Sequence, residues 1–184
     1  MAEAHAACAP LPLRLKPEGF AQLLSAIVSQ QVSVASAQAI WASLEAAGLH
    51  DREAMARADD AALREVGLSR QKMRYARALA QSGVDFAALR GMPDDAVIAT
   101  LTQVTGIGVW TAEIYAKFSL GRADAFAGGD LALQEGARML YRLPARPTEK
   151  ELRAMAETWR PWRSVAARIL WAYYARHKRR EGIG

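Results

Sequence analysis

Apolar residues recur at helical spacing along almost the whole chain. Phe20, Leu23, Leu24, Ile27 and Val28 mark one amphipathic helix, preceded by Pro17, a residue suited to a first helical turn. Ser33 caps the next predicted helix, which carries Val34, Ile40, Trp41 and Leu44 on its apolar side and stops at Gly48. Asp51 and Asp59 read as further caps, the second opening a short segment over 59–66 that ends at Gly67. Ser69 opens a helix through Met73, Tyr75, Ala76 and Leu79 to near Gly83. A short segment over 86–89 precedes Gly91, and Pro93 starts a helix bearing Val97, Ile98, Leu101 and Val104. Val109, Ala112, Ile114, Ala116 and Phe118 define another. Asp130 caps a helix over 131–141, Thr148 with Glu151 spells a capping box, and Pro161 starts a last long helix to about His177. Residues 1–16, rich in Ala and Pro, read as extended. With no alternating run of strand length and no repeat, the pattern is all-α.

The pattern is organised around Gly106-Ile107-Gly108, a tight turn between two helices. Glycine tolerates positive φ and lets another backbone come close. The second helix opens with the amides around Gly108 to Thr111, and such an end attracts a phosphate. Helix, Gly-Ile-Gly turn and helix form a helix-hairpin-helix, a sequence-independent clamp for the DNA backbone; a plain turn between two helices is the alternative reading of the same residues.

Composition narrows the setting. A chain of 184 residues makes one domain, with room for two lobes, and buries a core without staples. Its formal charge of +5 is compatible with a polyanionic partner. Cys8 is the single cysteine, which excludes an internal disulfide and an iron–sulfur cluster held by four cysteines of this chain. His5, His50 and His177 are scattered, without metal-ligand spacing. No apolar run approaches a membrane span, and no basic start with an apolar core marks a secretory signal. The expectation is a cytoplasmic protein of bacterial type, nucleoid-associated when bound to DNA, monomeric and without membrane contact.

After the turn come Trp110-Thr111-Ala112, then Gly128-Gly129-Asp130-Leu131-Ala132-Leu133 beyond the second helix. This order resembles the helix-hairpin-helix DNA glycosylases, and the form GIGVWTA resembles their 3-methyladenine DNA glycosylase II branch. Trp159-Arg160-Pro161-Trp162-Arg163-Ser164 leading to Trp171, and the early Ile27-Val28-Ser29-Gln30-Gln31-Val32-Ser33, match that branch too. The resemblance runs from about Phe20 to Trp171. It implies two helical lobes with a DNA-binding cleft between them: a middle lobe over about 34–122 and a second lobe from about 1–33 and 123–184. Some relatives carry an N-terminal β domain; the short stretch before Phe20 implies a minimal form without one.

The resemblance places the catalytic carboxylate at Asp130. Cleaving an N-glycosidic bond leaves an oxocarbenium-like sugar, which a fixed carboxylate stabilises while orienting or deprotonating the attacking water. Read locally, Asp130 is an ordinary N-cap; the roles are compatible, since a helix N-terminus attracts a negative group. Asp124, on the approach loop, is the second candidate. Trp110 stands where strand-nicking relatives have a lysine that forms a Schiff base, which an indole cannot do; packing against the helix pair is its bland reading. Trp110 and Trp171 match positions lining the base pocket, where an indole face attracts a base made cationic by alkylation. Trp159 and Trp162 match positions that look structural. Some members have an aromatic where Ile114 stands, with Tyr115 beside it here, so the pocket shape departs from theirs.

Gln31 falls where relatives push a wedge into the stack vacated by a flipped base; a polar helix-end residue is the alternative. Phosphate contacts are expected from the amides around Gly106, Gly108 and Thr111. The carbonyls of Thr102 and Val104 match positions that hold a structural monovalent cation; no other cofactor is implied. The basic tail Arg176, Lys178, Arg179 and Arg180 adds non-specific attraction or is simply a solvated helix end. The reading is a monofunctional glycosylase removing alkylated purines of the 3-methyladenine and 7-methylguanine type from duplex DNA. A non-catalytic DNA-binding module and a glycosylase for oxidised or deaminated bases are the alternatives.

Overall fold

The computed structural model describes residues 1–11 and 13–181, the side chains of 179–181 excepted. Its α-helices are α1 (Ala2–Cys8), α2 (Phe20–Val28), α3 (Val34–Ala46), α4 (Arg52–Arg57), α5 (Asp60–Glu65), α6 (Arg70–Gln81), α7 (Asp94–Thr102), α8 (Val109–Phe118), α9 (Leu131–Tyr141), α10 (Glu149–Ala156) and α11 (Arg163–Glu181). Short 3-10 turns fall at Ala88–Gly91 and Glu157–Trp159, and no strand occurs among the described residues. The chain divides into two compact units, one over Lys16–Tyr115 and one combining Met1–Leu15 with the chain from Ala116 onward; the boundary lies inside α8.

In the middle unit the predicted caps form. Ser33, Asp51, Asp59 and Ser69 each accept a hydrogen bond from an amide in the first turn of their helix. The division differs from the expected one, because residues 16–33 group with the middle helices. Leu23, Leu24, Ile27 and Val28 of α2 are buried, and α2 lies against α3 and α6. The buried Lys72 of α6 donates to the Val28 carbonyl at 2.6 Å, closing the last turn of α2 with a cation where orphan carbonyls attract one. Pro17 lies outside the helix, which starts at Phe20.

The other unit centres on Phe126, Leu133, Ala137, Leu152, Ala156, Ala167 and Leu170, contributed by α9, α10, α11 and the loop before α9. Residues 2–8 are helical where the sequence pattern suggested an extended start. Alanine is the strongest helix former, Ala4 is fully buried, and α1 packs on α11; Pro10 limits the helix to its short length. The last helix begins at Arg163 and not at Pro161. Its opening amides are taken by the loop before α9, Arg163 N donating to Asp124 Oδ1 at 3.2 Å and Ser164 N to the Ala123 carbonyl at 2.9 Å. Trp159 is structural: its ring meets Phe126 edge-on at 5.8 Å and stacks on Tyr141 at 6.4 Å. Trp162 does not share that role, being 60% exposed.

α9 and α11 approach closely at Gly136, where an added Cβ would stand 2.8 Å from the Leu170 carbonyl oxygen. A Gly→Ala change in an open helix stabilises by about 1 kcal/mol. Here the backbone of α11 cannot yield, so Gly136→Ala is expected to destabilise by about 1–3 kcal/mol. A lowered urea midpoint at unchanged m-value is the readout; a raised midpoint would mean that the helices separate freely.

Candidate active site

Asp130 sits at the N-cap of α9. Its Oδ1 accepts hydrogen bonds from the amides of Ala132 at 2.9 Å and Leu133 at 3.0 Å. A third donor comes from α11: Trp171 Nε1 donates to the same Oδ1 at 3.0 Å. The cap reading of Asp130 is therefore correct as geometry, and the indole bond adds something a cap does not require. The loop before it is held from α10 and α9. Arg153 donates to the Phe126 carbonyl at 3.0 Å and Gln134 to the Gly128 carbonyl at 3.1 Å. A Cβ at Gly128 would meet Arg153 Cγ at 2.7 Å, so a larger residue there would push this arginine aside.

Asp124, the second candidate, has other duties. Arg163 binds it through Nε at 2.9 Å and Nη2 at 2.8 Å, Arg160 binds it at 2.9 Å, and Glu157 completes the cluster. Desolvation raises its pKa, but hydrogen bonds from Arg163 and the charges of both arginines outweigh this and hold the carboxyl below its ordinary value. It anchors the start of α11.

Trp171 has two further neighbours. Phe118 stacks on it at 5.7 Å, and the Lys117 ammonium lies 4.2 Å from its ring centroid. Lys117 is 5% exposed and donates to the Ser164 carbonyl at 2.7 Å. Burial pulls its pKa down to about 7; Arg168 pushes the same way and the charge of Asp130 opposes. Sequence reading missed this residue. Its signal was a single lysine in the run Ile114 to Leu120, on a helix whose Ala112, Tyr115 and Ala116 are also buried.

The hairpin belongs to the middle unit as far as Tyr115. Gly106 adopts φ +97, and a Cβ there would lie 2.3 Å from the Tyr75 ring, so both conformation and packing demand glycine. Gly108 has open space where its Cβ would be, leaving room for a phosphate to come close. The first backbone bond of α8 runs from Ala112 N to the Gly108 carbonyl, so the Val109, Trp110 and Thr111 amides precede the ladder. Thr111 itself is buried, whereas Trp110 is 47% exposed, more than packing alone would leave it. Gln31 is exposed with φ 55, in the loop after α2, and its neighbour Gln30 donates to the Gly106 carbonyl at 3.1 Å. The wedge candidate is thereby tied to the hairpin turn through a residue the sequence did not flag. Arg176 and Lys178 are exposed on α11; the side chains of Arg179 and Arg180 lie outside the described residues. No cluster of three or more His, Cys, Asp or Glu suited to a metal occurs among the described residues, and no described helix is long and apolar enough to cross a membrane.

Residues 24–162 match the family described as HhH-GPD superfamily base excision DNA repair protein, and the chain belongs to that family. Within it the chain falls in the 3-methyladenine glycosylase branch. It is 30% identical over 165 residues to DNA-3-methyladenine glycosylase 1 of Schizosaccharomyces pombe, covering 85% of this chain and 72% of that protein. A solved structure of the S. pombe 3-methyladenine DNA glycosylase in complex with abasic DNA superposes with a TM-score of 0.77 at 28% identity, covering 92% of this chain and 88% of that one. The DNA-3-methyladenine glycosidase of Bacillus halodurans superposes with a TM-score of 0.82 at 37% identity, over 93% of this chain and 87% of that one. A putative DNA-3-methyladenine glycosylase of Bacillus subtilis, 30% identical over 123 residues, is matched over 65% of this chain and only 43% of its own length.

The Lys117 pKa has a consequence for stability. Between about 7 and 10.5 the unfolded chain binds a proton that the folded protein does not, so this residue makes stability rise with pH through that window. Below the window both states are protonated and folding bears the whole cost of burying the charge. Lys117→Met is expected to flatten the rise, gaining most below about pH 7. Urea midpoints of both proteins across the window check it; parallel curves would contradict it.

Proposed function

We propose that the protein is a monofunctional DNA glycosylase that removes alkylated purines of the 3-methyladenine and 7-methylguanine type from duplex DNA, leaving an abasic site. The observation that carries this is the Asp130 carboxylate, whose Oδ1 is fixed by three N–H donors, one of them the indole of a residue proposed for the pocket. The named activities of the similar proteins support the same chemistry.

In this reading the C1′–N bond breaks with its electron pair leaving on the base, and the sugar becomes oxocarbenium-like. The Asp130 charge stabilises that sugar, at a position that cannot wander because α9 and Trp171 hold it. Water adds its oxygen to C1′, and its proton passes to the carboxylate or to solvent. An alkylated purine already carries positive charge, so it leaves without a strong general acid. Trp110 and Trp171 are the aromatic walls for the flipped base, and Gln31 fills the stack it leaves. The amides around Gly106, Gly108 and Thr111 take a phosphate. The Thr102 and Val104 carbonyls are the ligands for a structural monovalent cation. Thr102 ends α7, where carbonyls lack intrahelical partners. Val104 accepts the Ile107 amide at 3.0 Å, and a carbonyl has a second lone pair for the ion. The protein acts as a monomer in the cytoplasm, without a membrane.

Asn caps a helix as well as Asp does. Asp130→Asn is therefore expected to fold and bind DNA normally yet lose base release by a factor of about a hundred or more, the scale of removing one electrostatic stabiliser. Single-turnover release of 3-methyladenine measures it, and full activity in this variant would remove Asp130 from the chemistry. Because an indole stands at position 110, borohydride is expected to trap no covalent protein–DNA adduct. A trapped Schiff base would show that another amine attacks the sugar.

A further inference from the structure

The Lys117 ammonium, the Trp171 indole and the Asp130 carboxylate form a continuous line of contacts within one unit. The ammonium lies 4.2 Å from the indole centroid, and the indole N–H donates to Asp130 at 3.0 Å. Lys117 is almost fully removed from water, and its Ser164 hydrogen bond keeps it directed at the ring. A cation on an aromatic face draws π density to its own side. The ammonium is also 5.4 Å from the Phe118 centroid, so ammonium and phenyl ring share one side of the indole. A base that stacks on the other side then meets a less negative surface, and a cationic base meets a second positive charge across one ring thickness. Salt would screen a surface lysine; it screens this buried one much less.

We infer that Lys117 is a specificity-determining residue, which weakens the attraction of Trp171 for cationic bases and so moves excision towards neutral damaged purines. The inference rests on Trp171 being a wall of the base pocket, as proposed above. The charged groups facing Lys117 are Asp130 at the start of α9 and Arg168 on α11, with Arg122 lining the same cavity of about 320 Å³. Arg14 lies close enough to Arg168 to depress its pKa after burial has done so. Burial first and the Arg168 charge second make the ammonium readily lost, against the charge of Asp130, so the selectivity is also a function of pH. As the proton leaves, the indole regains its hold on a cationic base.

The test is single-turnover excision of two lesions by wild type, Lys117→Met and Lys117→Arg. One lesion is 3-methyladenine in methylated duplex DNA, a fixed cation; the other is hypoxanthine in a matched duplex, a neutral base. Rates are taken at about pH 6 and about pH 8.5, on either side of the Lys117 transition, and uncatalysed depurination is subtracted. The mutant-to-wild-type ratio is formed separately for each lesion, which cancels its intrinsic lability. For 3-methyladenine, Lys117→Met is expected to raise the rate about threefold or more at the lower pH, the scale of one cation–π term. The gain should shrink towards none at the higher pH, while hypoxanthine stays near a ratio of one throughout. Lys117→Arg, which keeps its charge, should hold 3-methyladenine excision low at both.

Equal gains on both lesions would mean that the charge acts on the sugar centre, and would overturn the inference. So would a 3-methyladenine ratio of one at the lower pH. A second readout needs neither DNA nor catalysis: the tryptophan emission of wild type should titrate near neutral pH, and that step should vanish in Lys117→Met and be absent in Lys117→Arg. Loss of this step with no base release from any lesion would defeat the proposed function and leave the ammonium–indole coupling standing. Base release without the step would defeat the coupling alone. If Lys117→Met does not fold, Lys117→Arg still decides the matter, since an arginine with a pH-dependent lesion ratio like that of wild type contradicts it.

Discussion

The arrangement of the proposed site depends on one acceptor atom, Asp130 Oδ1. Two amides of α9 and the indole N–H of α11 converge on it. The amide bonds alone would place the carboxylate at the head of its helix; the indole bond makes its position a property of two helices together. That bond in turn needs α9 and α11 to run close, which Gly136 permits by presenting no side chain to the Leu170 carbonyl. The small residues Ala137 and Ala167 in the same core serve the same end. A catalytic geometry is thus secured by the packing of the unit rather than by a flexible loop reaching into solvent.

Burying Lys117 beside this arrangement is costly, because an ammonium out of water loses solvation that one carbonyl and two aromatic faces only partly replace. The depressed pKa records that imbalance. Lys72 in the middle unit shows the milder case. It too is buried and lowered by desolvation, but it sits on the carbonyl end of α2, where the helix field favours a cation. One buried lysine closes a helix; the other faces a ring and an acid.

Much of this was legible in the chain. Local rules governed the caps at Ser33, Asp51, Asp59, Ser69, Asp130 and Thr148, since a cap needs only a side-chain oxygen two or three residues before an orphan amide. The hairpin glycines were legible for the same reason. What stayed hidden was set by residues far apart in sequence. The indole bond links positions 130 and 171, the Gln30 bond links the α2 end to Gly106, and the start of α11 is fixed by Asp124 rather than by Pro161. Residues 1–16 look extended from their alanine and proline content, yet Pro10 bounds the first helix instead of preventing it. Lys117 was passed over because a lysine in an amphipathic pattern is taken for solvent-facing, and periodicity alone cannot show a helix covered on nearly every side.

The two aspartates of the 124–130 loop have a joint consequence. One end of the loop is fastened to α11 at Arg163 and the other at Trp171. Eight helical steps separate those fastenings, about 12 Å of rise. α11 therefore acts as a ruler against which the loop is measured. A helix cannot stretch, and adding or removing one of its residues turns everything beyond by about 100°. Between Arg163 and Trp171, then, even a chemically silent change of length would swing the indole off the carboxylate, and no change in the loop before α9 would turn it back.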